Sequence, residues 1–159
     1  MNQGVVTVGS VLGGDFKILE LLSSGGMGNV YVAEQLSTGS RRALKTMKPE
    51  LLDTPKLRER FEQEARISGR IDSDHIVQVV SAGVDAATAT PYMVMELLEG
   101  ENLREYVRAR GGLSRGEVAA IFDQLCHAIS AAHAIGIVHR DLKPENIFLA
   151  KGRSARANV

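Results

Sequence analysis

Between Ile137 and Leu149 the chain reads Ile-Val-His-Arg-Asp-Leu-Lys-Pro-Glu-Asn-Ile-Phe-Leu. This short stretch places a carboxylate at Asp141, an ammonium at Lys143 and an amide at Asn146, and Pro144 stiffens the backbone between them. A carboxylate can take a proton from a hydroxyl. An ammonium is a point charge that suits an anion. An amide oxygen is a hard donor that suits a hard cation. Asp, Lys, Pro and Asn are also ordinary turn residues. A solvated turn therefore accounts for several of these side chains, but not for the whole string and its apolar flanks.

Four further features precede that loop. Leu21-Leu22-Ser23-Ser24-Gly25-Gly26-Met27-Gly28-Asn29-Val30-Tyr31 lies between two strand-like runs, Phe16 to Leu22 and Val30 to Gln35. Arg42-Ala43-Leu44-Lys45 places a lysine in a third such run. A helix-like segment, Leu57–Ile67, sets Leu57, Phe61, Glu64 and Ile67 on one face, so a carboxylate interrupts an apolar stripe. Considered alone, Glu64 reads as one more solvated charge beside Arg58, Glu59, Arg60 and Glu62. The run Pro91-Tyr92-Met93-Val94-Met95-Glu96 reads as a buried strand that leads into Leu97-Leu98-Glu99-Gly100.

The string His139-Arg140-Asp141-Leu142 with Asn146 resembles the catalytic loop of protein kinases, H-R-D-L-x-x-x-N, and matches it at every fixed position. With the four upstream features in the family's order, the resemblance covers about residues 12 to 149. It points to a eukaryotic-type serine/threonine protein kinase of the bacterial kind, and the Asp-Leu-Lys-Pro-Glu-Asn form is similar to the serine/threonine branch. The fold implied is α+β: an antiparallel N-lobe sheet with one helix, then the first helices and catalytic loop of a C-lobe. The implied activity is ATP-dependent phosphoryl transfer to Ser/Thr hydroxyls of proteins, with ATP and Mg²⁺ as cofactors.

The resemblance implies a role for each matched residue. Asp141 accepts the hydroxyl proton, Lys143 stands near the γ-phosphate, and Asn146 holds a magnesium ion through its amide oxygen. His139 braces the loop and is not a base. Leu22, Ser23, Gly25, Gly26, Gly28 and Val30 form the glycine-rich cover over the phosphates, with Ser23 where the family pattern has its first glycine. Ala43 lines the adenine. Lys45 meets the α- and β-phosphates and pairs with Glu64, since a buried lysine without a partner is pushed toward its neutral form. Met95 is the gatekeeper beside the adenine, and the backbones of Glu96 and Leu98 take its hydrogen-bonding edge.

Positioning these residues requires the following organisation: a lead-in over 1–12, a sheet lobe and hinge strand over 13–98, a helical lobe over 99–150 and a flexible tail over 151–159. Strands are expected at Phe16–Leu22, Val30–Gln35, Arg41–Met47, Ile76–Gly83 and Tyr92–Glu96, with the one helix after the third strand. Asp85 to Thr90 reads as a hairpin connection. A short helix runs over Asn102–Ala109 and ends at Gly111-Gly112. Ser114 and Glu117 have capping-box spacing, and a long apolar-striped helix follows them. Cys126 falls on that stripe and is expected to be buried; His127 and His133 have no metal-ligand companions.

The chain has 159 residues, with 19 basic and 19 acidic side chains and a net charge of zero, which makes no electrostatic case for nucleic acid or an anionic membrane. One cysteine excludes an internal disulfide and suits a reducing, cytoplasmic setting. No apolar run approaches the roughly 18 residues of a membrane span. No Asp-Phe-Gly follows Asn146 before Val159. A kinase domain truncated at that point would keep one magnesium ligand, Asn146, and would leave the long helix with an uncovered apolar face, which favours self-association or pairing with another kinase. The expectation is weak ATP binding with little transfer. The alternatives are a catalytically dead nucleotide-binding or interaction module, and a decayed reading frame.

Overall fold

The computed structural model describes residues 6–26, 28–151 and 156–158, the last three by backbone alone. The chain forms two compact units. One comprises residues up to Gly69 together with Gln78–Leu97; the other comprises Arg70–Val77 and the residues from Leu98 onward.

The first unit is built on a six-stranded antiparallel sheet. Its strands are β1 (Val11–Leu12), β2 (Phe16–Ser24), β3 (Gly28–Gln35), β4 (Ser40–Met47), β5 (Val79–Val84) and β6 (Pro91–Glu96), in the spatial order β1-β2-β3-β4-β6-β5. Helix α1 (Pro55–Ser68) follows β4. Alternation along each strand sorts side chains onto two faces. Leu12, Phe16, Ile18, Tyr31, Ala33, Leu44, Tyr92 and Val94 pack into one core. Met47 and Met93 pack with Phe61 and Ala65 of α1 into a second.

The expected strands all form, with shifted ends. The lead-in was expected to be loose, but Val11–Leu12 pair with Lys17 and Phe16, and Leu12 is buried. Because of this short strand, α1 follows the fourth strand and not the third. The strand expected from Ile76 begins at Val79; Ile76 itself is buried within the second unit. The hairpin at Asp85 closes through a bond from the Asp85 amide to the Thr90 carbonyl. The Asp85 carboxylate is buried and accepts hydrogen bonds from the Gly13 amide and from the Thr88 amide and hydroxyl. It thereby ties the β1–β2 turn to the β5–β6 turn.

The second unit holds β7 (Gly100–Asn102), α2 (Leu103–Arg110), α3 (Arg115–Ala134), β8 (Phe148–Ala150) and β9 (Arg156–Asn158), with the three strands ordered β7-β8-β9. Asn102 caps α2 through its side chain, and Gly111 ends it at a φ of 74°, where a Cβ would be strained. Ser114 and Glu117 form the reciprocal capping box of α3. Leu103, Ile121, Leu125 and Ile147 form this unit's core.

Two expectations fail here. The tail was read as frayed, yet Arg156–Asn158 pair with β8; residues 152–155 and Val159 lie outside the described set. Cys126 was expected in the core but is exposed, because Ile121, Leu125, Ala128 and Ala132 carry the buried face of α3. Val118, Phe122 and Cys126 follow one another at four-residue steps on the side left open, and Phe122 is 60% exposed.

Candidate functional site

Strand register assembles the upstream residues. Val30 stands opposite Lys45, and Lys45 opposite Met93. Val32 stands opposite Ala43, and Ala43 opposite Met95. Cross-strand partners share a face, so Val30, Ala43, Lys45 and Met95 lie in two adjacent rows on the α1 side of the sheet. Lys45 Nζ reaches Glu64 Oε1 of α1 at 2.6 Å, the pairing expected from the sequence. The lysine side chain is 22% exposed and the glutamate 42%.

The hairpin between β2 and β3 is the glycine-rich segment. Ser24 pairs with Asn29, the Ser24 hydroxyl donates to Asn29 Oδ1 at 2.8 Å, and the Gly25 amide donates to the Gly28 carbonyl at 2.8 Å. Ser23 sits within β2 opposite Val30, where a side chain is at home, so its departure from the family glycine has no backbone cost. Leu22 falls at a register shift between Leu21 and Ser23 and is half exposed. The glycines differ in kind. A Cβ on Gly28 would lie 2.1 Å from the Thr46 carbonyl oxygen, so the fold itself requires glycine there. A Cβ on Gly26 would meet nothing, and on Gly25 only the Gly28 carbonyl at 3.7 Å. The fold leaves those two positions free, as an approaching ligand would need. Met27 lies outside the described residues.

Glu96 ends β6. Its amide donates to the Gln78 carbonyl at 3.0 Å and its carboxylate accepts from the Gln78 amide at 2.9 Å. Of the backbone expected to meet adenine at Glu96, the N–H is therefore engaged within the unit. Leu98 opens the second unit in the connection to β7.

In the second unit the loop after α3 is fixed at both ends. The Ile137 amide donates to Ala132 at one end, and the Leu103 amide donates to the Ile147 carbonyl at the other. Pro144–Asn146 form a 3₁₀ turn that swings Asn146 back toward Asp141. Asn146 Nδ2 donates to the Asp141 carbonyl at 2.8 Å and to its Oδ2 at 3.0 Å. Lys143 Nζ lies 2.8 Å from the same Oδ2. The Lys143 contact, with the Asn146 bond behind it, holds the Asp141 carboxyl below its usual range, and the same contact raises the Lys143 ammonium. Among the described residues nothing bonds to Asp141 Oδ1 or to the Asn146 amide oxygen. These are the acceptor and the hard donor that the sequence reading needs.

The expectation for His139 is refined by its position. It is exposed, and it braces the loop by accepting the Asp141 amide on Nδ1 at 3.3 Å instead of by packing. Arg140 adopts a φ of 63°, a left-handed conformation costly for a residue with a Cβ, immediately before the key carboxylate. Sequence reading missed Arg104, whose guanidinium pairs with Glu145 and fastens α2 to the loop. It also missed Phe61 as a neighbour of Lys45. In both cases the residue types were ordinary for their helices, and only the contact reveals them.

Comparison with known proteins bears on the family and the fold. Residues 16–157 match the family model described as protein kinase domain. The chain is 44% identical over 138 residues to serine/threonine-protein kinase Pkn1 of Myxococcus xanthus, covering 87% of this chain and 19% of that one. It is 40% identical over 141 residues to the probable serine/threonine-protein kinase PknB of Corynebacterium glutamicum, covering 87% and 22%. The Mycobacterium tuberculosis PknI kinase domain superposes with a TM-score of 0.80 at 25% identity, over 98% of this chain and 62% of that one. The chain thus spans about a fifth of the length of these curated relatives and about three fifths of the solved domain. It belongs to the protein kinase family, in the eukaryotic-type serine/threonine group whose matched members here are bacterial.

Proposed function

We propose that the chain carries out, or forms part of a protein that carries out, ATP-dependent phosphorylation of serine and threonine hydroxyls on proteins. The observation that carries this reading is the arrangement around Asp141. Lys143 and Asn146 converge on one carboxylate oxygen and leave the other unbonded.

Asp141 orients the attacking hydroxyl on that free oxygen. The bonds from Lys143 and Asn146 favour its ionised form, in which it can accept the hydroxyl proton. Lys143 supplies positive charge beside it. In the first unit, Lys45 takes the nucleotide phosphates while Glu64 holds it in place, Gly25 and Gly26 allow close approach of the backbone, and Val30, Ala43 and Met95 offer an apolar wall to adenine. Magnesium, when bound, offsets phosphate charge. Asn146 would hold it through its amide oxygen, with phosphate and water oxygens completing a set that this loop supplies only in part. Leu22, Ser23, Gly28, Glu96 and Leu98 complete the proposed nucleotide-binding set.

The test is Mg-ATP binding and phosphate transfer by the 159-residue polypeptide. Binding should raise the melting midpoint, and Lys45→Met should abolish that shift. Transfer should be slow, given the sparse metal donor set, and Asp141→Asn should remove what there is. A midpoint that ignores Mg-ATP would overturn the nucleotide site, and transfer unaffected by Asp141→Asn would overturn the assignment of that residue.

A second reading, a nucleotide-binding or pairing module without catalysis, is favoured by the open apolar strip of Val118 and Phe122 on α3. Its mark would be Mg-ATP binding without transfer, together with self-association or association with another kinase. A cytoplasmic location fits either reading, and no helix among the described residues is long and apolar enough to cross a membrane.

A further inference from the structure

We propose that Phe61 is a positioning residue for Lys45, and that its ring forms part of the seat that holds the ammonium toward the nucleotide phosphates. The proposal rests on the reading of Lys45 as the nucleotide lysine. Lys45 Nζ lies over the Phe61 ring, 5.9 Å from its centroid, within reach of the negative face of the π system. Phe61 and Glu64 stand one turn apart on α1, so a single helix offers the same ammonium a carboxylate and a ring.

The two partners differ in what they can hold. The Glu64 side chain is 42% exposed, so water competes for it. Phe61 is 5% exposed and packed among Met47, Ala65 and Met93. The ring is therefore the fixed part of the seat. It also leaves the lysine's chemistry intact. An ammonium has three N–H donors. Glu64 takes one, and the ring attracts the charge without a directed acceptor, so donors remain for phosphate oxygens. A second carboxylate in that position would hold the lysine equally well but would repel the phosphates. A neutral ring avoids that repulsion.

The test replaces Phe61 in the full chain with mono-, di- and trifluorinated phenylalanine, which drains the ring's negative face at nearly constant shape. Mg-ATP affinity is read by calorimetry in the chain with Lys45 intact; the Lys45→Met background, which abolishes binding, enters only in the nucleotide-free melts. The expected result is a stepwise loss of affinity reaching about two- to fivefold. A flat series would overturn the proposal and leave Phe61 as a packing residue. A nucleotide-free arm keeps the outcome separate from the reading it rests on. In thermal melts, fluorination and Lys45→Met should be non-additive, because they remove the same contact. If the native chain binds no Mg-ATP, the nucleotide reading fails, and the melts alone still decide whether ring and lysine are coupled; strict additivity would rule the contact out.

Discussion

Gly28 and Ser23 flank the same β2–β3 hairpin, Ser23 opposite Val30 and Gly28 opposite Met47, and they invert what a motif match would suggest. Gly28 matches the family pattern, but the close approach of the Thr46 carbonyl is what demands it. Gly28→Ala should cost about 1–3 kcal/mol, as overpacking does, even in a chain that never meets nucleotide. Ser23 breaks the pattern, yet it is a paired strand residue. Ser23→Gly, which restores the motif, should destabilise the chain by about 0.5–1 kcal/mol without tightening Mg-ATP. Denaturant melts of the two variants, with and without ligand, check both statements. Lys45, Glu64, Asp141, Lys143 and Asn146 were legible in the sequence because the resemblance to the family pattern marks each position; taken alone, Glu64 reads as a solvated charge and the loop residues as a turn. Phe61, Arg104 and Asp85 were not. A phenylalanine on an apolar stripe, an arginine on a surface helix and an aspartate in a turn look ordinary until their partners are known.

At the scale of elements, α3 shows what capping does. Glu117 accepts from the Ser114 amide at 2.8 Å, the Ser114 hydroxyl accepts from the Glu117 amide at 3.2 Å, and the Tyr106 hydroxyl of α2 donates to Glu117 at 2.8 Å. The bonds from Ser114, then that from Tyr106, lower the Glu117 carboxyl from 4.5 to about 2. Because the native value is depressed, this contribution is complete above about pH 4.5 and fades as pH falls toward 2. NMR titration of the Glu117 carboxyl should show that depression, and Ser114→Ala, which removes the hydroxyl but keeps the amide that contributes most, should abolish only part of it while costing about 1 kcal/mol. The box was visible in the sequence from the Ser-to-Glu spacing. The buried side of α3 was misjudged at Cys126, because the apolar stripe is wide enough to admit two choices of face. Strand β1 was missed because two residues carry no periodicity, and β9 because its composition is small and polar.

At the scale of the molecule, the first unit depends on one buried carboxylate to bring distant turns together. Burial works to raise the Asp85 carboxyl, but the bonds from Gly13, Thr88 and Ala87 together outweigh it, and the net effect is downward from 3.8. The stability it contributes is present above about pH 4 and is lost as pH falls through the lower native value. Asp85→Ala should cost about 1.5–3 kcal/mol at neutral pH. It should also flatten the acid limb of the stability profile, which denaturant melts from pH 7 to pH 2 would show. The α+β architecture could be read from the order of strand-like and helix-like segments. The strand order could not, since nothing in residues 79–96 announces that the later strand takes the inner place.

That order has a consequence for synthesis from the N-terminus. Strand β6 lies between β4 and β5, although it follows both in the chain. Until residues 91–96 emerge from the ribosome, β4 keeps a bare flank and β5 has no partner in the sheet. The lysine and glutamate of the proposed nucleotide site are by then already translated, and they wait on a strand that neither of them belongs to. The nascent chain therefore passes through an interval with its central sheet unfinished, the interval in which a chaperone, or a neighbouring nascent chain, finds an open edge.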